Sequence, residues 1–119
     1  MRALRPVTLL LTVIVLCSTS RAYGHAIVLA AAPGLNETVN GPDVAVKLRF
    51  NSRIDAKRSK LILVLPDGEQ QSLSLSETPS ADSLASEAKR LKSGSYVLRW
   101  QVLASDGHIT RGELPFRVR

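Results

Sequence analysis

A chain of 119 residues has the length of one domain, and 45% apolar against 22% charged residues is the balance of a folded protein. The formal net charge of +6 does not make a nucleic-acid footprint. Lys47, Arg49, Arg53, Lys57, Arg58, Lys60, Lys89, Arg90 and Lys92 are spread along the chain, with little aromatic interleaving. The only cysteine, Cys17, precedes the folded part, which excludes disulfides, thiolate metal sites and a cysteine nucleophile there.

Residues 1–24 read as a secretory signal peptide. Arg2 and Arg5 form a positive start, Val7 to Leu16 an apolar run, and Ala22 and Gly24 the small residues before a cut after Gly24. The run is about ten residues, where a membrane span needs ~20, so no retained anchor is expected and the mature chain should not span a membrane. A lipoprotein cut before Cys17 is disfavoured by Leu16, where a small residue belongs. Cleavage removes Arg2, Arg5 and Arg21, so part of the basic charge serves targeting, and it leaves residues 25–119 as one exported domain.

Within that domain the apolar period is 2. Residues 25–31 suggest a short strand, broken at Pro33-Gly34. Val44, Val46, Leu48 and Phe50 alternate with Ala45, Lys47 and Arg49, as in a strand with one buried face. Leu61-Ile62-Leu63-Val64-Leu65 is an apolar strand closed by Pro66-Asp67-Gly68, a hairpin signal, with Gln71, Leu73 and Leu75 expected on the partner strand. Residues 80–92 fit a helical face through Leu84, Ala85, Ala88 and Leu91, but equally a loop or a weak strand.

After a turn at Ser93-Gly94, Tyr96, Leu98, Trp100 and Val102 share a face, and Trp100 is expected at the centre of the core. Ser105-Asp106-Gly107-His108 forms a third turn. The last run turns Leu114, Phe116 and Val118 inward. Frequent turns along a β-rich chain predict a sandwich, with a small cupredoxin-like barrel as the variant.

The two histidines are His25 and His108. A cut after Gly24 frees the α-amine of His25, whose ordinary pKa of ~7.7–8.0 lets a metal displace its proton easily near neutrality. Amine and imidazole of one residue can chelate one ion, and the His108 imidazole with the Asp106 carboxylate would complete an N,N,N,O set. Asp106 and His108, two apart, point to the same side of an extended segment, and Gly107 lets the backbone bend between them. Such ligation suits Cu(II), one ion per chain; zinc is the rival metal. The arrangement requires the first strand and the 104–108 turn to lie at one end of the sandwich.

The mature start His25-Ala26, Pro33-Gly34, the strand over Val46, Leu48 and Phe50, Pro66-Asp67-Gly68, and Gly94, Tyr96 and Trp100 together resemble the CopC family of periplasmic copper-resistance proteins. Ser105-Asp106-Gly107-His108, Gly112, Phe116 and Val118 extend the similarity over nearly all of residues 25–119. The resemblance implies an immunoglobulin-like Greek-key β-sandwich and Cu(II) held by His25, Asp106 and His108. It also implies a periplasmic role in copper storage or delivery, beside a CopD-type inner-membrane copper transporter. Two departures stand out. Met1 is the only methionine, which excludes a thioether Cu(I) site from the mature chain. The loop after Phe50 carries Asn51, Ser52 and Arg53, with no carboxylate before Asp55.

Other classes are weaker fits. Polysaccharide monooxygenases also use an N-terminal copper-chelating histidine, but they need an open position for oxygen, which the carboxylate would fill here. A metal-free immunoglobulin-like interaction module would make residue 25 irrelevant. No Ser/His/Asp grouping, phosphate loop or carboxylate pair stands out, so the chain is expected not to be an enzyme.

Overall fold

The structure is a computed structural model that describes residues 26–78 and 80–119; the leader and His25 lie outside them. Nine strands are described: β1 (Val28–Ala32), β2 (Thr38–Val39), β3 (Val44–Phe50), β4 (Ile54–Val64), β5 (Gln70–Leu73), β6 (Leu75–Ser76), β7 (Ser83–Ala88), β8 (Gly94–Ala104) and β9 (Ile109–Val118). They form two sheets, ordered β1-β3-β7-β6 and β2-β9-β8-β4-β5. All neighbours are antiparallel except β2 and β9. The sheets keep separate edge strands, and the result is the Greek-key sandwich rather than the closed barrel.

The alternation seen in the sequence decides which faces meet. Val44, Val46, Leu48 and Phe50 of β3 are buried from one sheet, and Leu61, Leu63, Leu98, Val102, Leu114 and Phe116 from the other. Their intervening residues remain at or near the surface, because successive side chains of a strand point to opposite faces. Tyr96 stacks on Phe116 with ring centroids 5.7 Å apart, and its hydroxyl donates to the Lys92 carbonyl at 2.7 Å. A tyrosine bonded to the backbone a few residues upstream is a corner device of immunoglobulin-like sandwiches.

The structure decides or corrects four local expectations. Residues 83–88 form strand β7, not a helix. Six cross-strand pairs with β3 outweigh the helical spacing, and Leu84 and Ala88 point inward with Ser86, whose hydroxyl donates to the Ser74 carbonyl. The partner strand of the Asp-Gly hairpin stops at Leu73. At Ser74 the chain changes sheets, and Leu75 pairs with Ser86. The first strand begins at Val28, three residues later than expected. Trp100 is half-buried and packs against the core, while its neighbour Leu98 is fully enclosed. Its indole lies over Gly112, directly opposite on β9, where a Cβ would run into the ring.

β4 carries one large irregularity. Asp55 faces Leu103 and Lys60 faces Gln101, so extra residues of β4 bulge out of the ladder. Buried Ser59 closes the gap: its hydroxyl donates to the Asp55 carbonyl at 2.6 Å and accepts from the Leu103 amide at 3.2 Å.

Candidate metal centre

The β8–β9 turn is shaped by its own short side chain. The Ala104 amide donates to the His108 carbonyl at 2.9 Å, and the Gly107 amide to the Ala104 carbonyl at 2.9 Å. Closing so tightly puts Gly107 at φ +87°, a conformation that a Cβ would strain. Asp106 Oδ1 accepts the His108 amide at 3.0 Å, the local bond that makes Asp a turn former. Asp106 Oδ2 lies 3.2 Å from His108 Nδ1, so carboxylate and imidazole sit side by side at the tip. Both side chains reach solvent, His108 at 42% and Asp106 at 35% exposure, which an exchangeable ion requires. The backbone N–H of His108 holds the Asp106 carboxyl below its ordinary value of 3.8; burial opposes it, and the His108 side chain adds a lesser lowering.

The loop between β3 and β4 binds this turn to the start of the chain. The Ser105 amide donates to the Arg53 carbonyl at 3.0 Å. Two residues earlier, Asn51 grips Ile27 from both sides. Its side-chain Oδ1 accepts the Ile27 amide at 2.8 Å, and its own amide donates to the Ile27 carbonyl at 2.9 Å. Ala26 is buried. The first described residues and the 104–108 turn therefore share one end of the sandwich, through one short loop.

Asp106 and His108 come together in the structure. His25 lies outside the described residues, and among the described residues no group of three or more His, Cys, Asp or Glu side chains could hold an ion. Sequence reasoning did not single out Asn51 and Arg53 as the tethers. Nothing local marks them, because Asn51 bonds a residue 24 positions away and Arg53 contributes only its backbone carbonyl.

A family model of the CopC domain matches residues 28–119. Copper resistance protein C of Xanthomonas campestris pv. juglandis is 27% identical over 110 residues, spanning 86% of this chain and 86% of that protein. The crystal structure of CopC from Methylosinus trichosporium OB3b superposes with a TM-score of 0.71 at 29% identity, covering 79% of this chain and 93% of that one. PcoC, a methionine-rich copper resistance protein from Escherichia coli, superposes at 0.65 with 21% identity over 80% of this chain and 99% of its own, a likeness of fold. With its two-sheet sandwich, its tyrosine corner and a domain match from β1 to the last residue, the chain belongs to the CopC family.

Proposed function

We propose that this chain is an exported copper-binding protein that carries one Cu(II) and buffers it, or hands it to a CopD-type inner-membrane transporter, in the periplasm. The ion is cargo, held by the α-amine and imidazole of His25 together with Asp106 and His108. One observation carries the reading. An imidazole and a carboxylate lie 3.2 Å apart on a solvent-facing turn, and one loop ties that turn to Ile27, two residues beyond His25. Nitrogen-rich ligation with one oxygen is the donor set that Cu(II) favours among divalent ions. The names of the relatives point the same way, since the Xanthomonas protein and PcoC are both called copper resistance proteins.

The test is a Cu(II) titration of protein verified by mass spectrometry to begin at residue 25, followed by electron paramagnetic resonance. A nitrogen-rich tetragonal signal at one ion per chain is expected. Losing even a group behind a ligand costs about 10–100-fold in metal affinity, so His108→Ala should weaken binding by at least ~100-fold. One extra residue before His25 should do comparable damage by turning the amine into an amide. Equal copper binding in all three proteins overturns the reading.

A further inference from the structure

Successive side chains of a strand leave opposite faces of its sheet, so the pairing registers locate the charge of this domain. Without the leader's three arginines, 13 basic side chains stand against 10 acidic ones, a surplus of three. Beyond the β4 bulge, the outward face of the five-stranded sheet carries Lys60 on β4, Arg99 on β8, and Arg111 and Arg117 on β9, all exposed. Glu113 is the one acid at the outward positions of these strands. Four cations against one acid is again a surplus of three, so this face accounts for the net charge of the domain. Asp55, ahead of the bulge, is matched by Arg58 at 3.8 Å and adds nothing net. Of the four cations, Arg99 alone has a carboxylate within reach among the described residues, Glu113 Oε2 at 3.3 Å. Arg111 Nε donates to the neutral Gln101 Oε1 at 3.0 Å. The opposite sheet shows no such surplus: its outward Lys47 and Arg49 are answered by Glu87 and by Asp82, which feels the Arg49 charge.

The spread of these cations limits what can meet them. Lys60 faces Gln101 and Gln101 faces Arg111, which sets the two cations two strand spacings apart, about 10 Å. Arg117 lies farther along β9, roughly 20 Å from Arg111. No small anion spans that area. A peptide strand adds at a sheet edge through its backbone, whereas these side chains project from the face. Ile62, Val64, Val97 and Leu103 lie among them, only partly covered. Arginine presents a planar fork of donors that matches phosphate oxygens. We propose that this face docks on an anionic phospholipid surface, with Lys60, Arg111 and Arg117 reaching the headgroup phosphates. The face ends at the pair Leu103 and Ile109, immediately before the β8–β9 turn. Docking therefore sets Asp106 and His108 at the margin of the bilayer. The docking itself needs no metal; its use, bringing Cu(II) to a membrane transporter, rests on the function proposed above.

The test sediments metal-free protein beginning at residue 25 with vesicles of phosphatidylglycerol and phosphatidylethanolamine, and with vesicles of phosphatidylcholine alone. Binding is expected to the anionic vesicles only, and it should weaken as salt is raised, because exposed charges are screened. Each cation near an anionic bilayer is worth about fivefold in binding, so Lys60→Gln combined with Arg111→Gln should bind about 25-fold more weakly. Arg117→Gln alone should cost about fivefold. Lys47→Gln combined with Arg49→Gln removes the same charge from the opposite face and should cost less than about fivefold. Thermal midpoints matching the parent verify that each variant is folded. Equal losses in the two double variants would assign the effect to overall charge and overturn the proposal. Absence of binding to the anionic vesicles overturns it as well; retention on poly-glutamate in that case gives the face to an acidic protein. Vesicle docking by a protein that takes up no Cu(II) would sink the copper function and leave the docking standing. Cu(II) uptake without docking would do the reverse.

Discussion

At the scale of single residues, the candidate site depends on an acid held in its charged form. Asp106 is kept ionised first by the backbone N–H of His108 and then by the neighbouring imidazole. Asp82 is likewise held below its ordinary value of 3.8, chiefly by the Ser80 hydroxyl and then by that of Ser83, with burial opposing. The Asp82 carbonyl also receives the Phe50 amide at 2.8 Å, at the mouth of the β3–β4 loop. A carboxylate whose pKa is lower folded than unfolded contributes stability that is complete above its unfolded value. That contribution disappears as the pH falls through the folded value. The metal-free protein should therefore lose stability progressively below pH 3.8, with a shallower loss in Asp82→Asn and in Asp106→Asn. Urea midpoints measured at descending pH check this, and identical slopes in all three proteins would refute it.

Among the strands, the decisive element is β4. Its bulge changes the register against β8 between Asp55 and Lys60, and it lets the strand keep both the apolar pairing of Leu61 and Leu63 and the pairing of Ile54 with Ala104 beside the β8–β9 turn. Ser59 holds the bulge through one donated and one accepted bond, both to backbone. Ser59→Ala would leave a backbone amide and carbonyl underserved, at a cost of about 1–3 kcal/mol. A lowered urea midpoint with an unchanged slope is the expected result. An unchanged midpoint would mean that the ladder sustains the bulge without the hydroxyl. The strand-changing step at Ser74 belongs to the same scale: it ends one sheet at Leu73 and begins the edge of the other at Leu75.

Across the whole molecule, stability rests on two apolar faces pressed together, with no disulfide in residues 25–119 to assist. Leu98 is fully enclosed between them, whereas Leu75 on the edge strand is only partly covered. Leu98→Ala should cost ~2–5 kcal/mol, because a filled space would become a cavity. Leu75→Ala should cost clearly less, and equal losses of thermal midpoint would contradict this picture of the core. Neither substitution touches the β8–β9 turn, so the copper binding proposed for that turn should be retained by the surviving folded fraction.

Residues close in sequence determined much of this protein by themselves. Period-2 alternation marked the buried faces of β3, β8 and β9, and Asp67-Gly68 marked the β4–β5 hairpin, whose Gly68 adopts φ +89°. Spacing and residue type singled out Asp106 and His108, whose contact spans only two positions. Tertiary structure alone decided the rest. Residues 83–88 carry a spacing compatible with helix or strand, and pairing with the distant β3 resolved it. Trp100 packs at the margin of the core with its indole over Gly112, a contact across the ladder that no local spacing records. The common end shared by Ile27 and Ser105 depends on an asparagine side chain and an arginine carbonyl reaching across the fold. A local pattern records which face of a strand avoids water; it carries no record of which distant backbone groups that strand will meet.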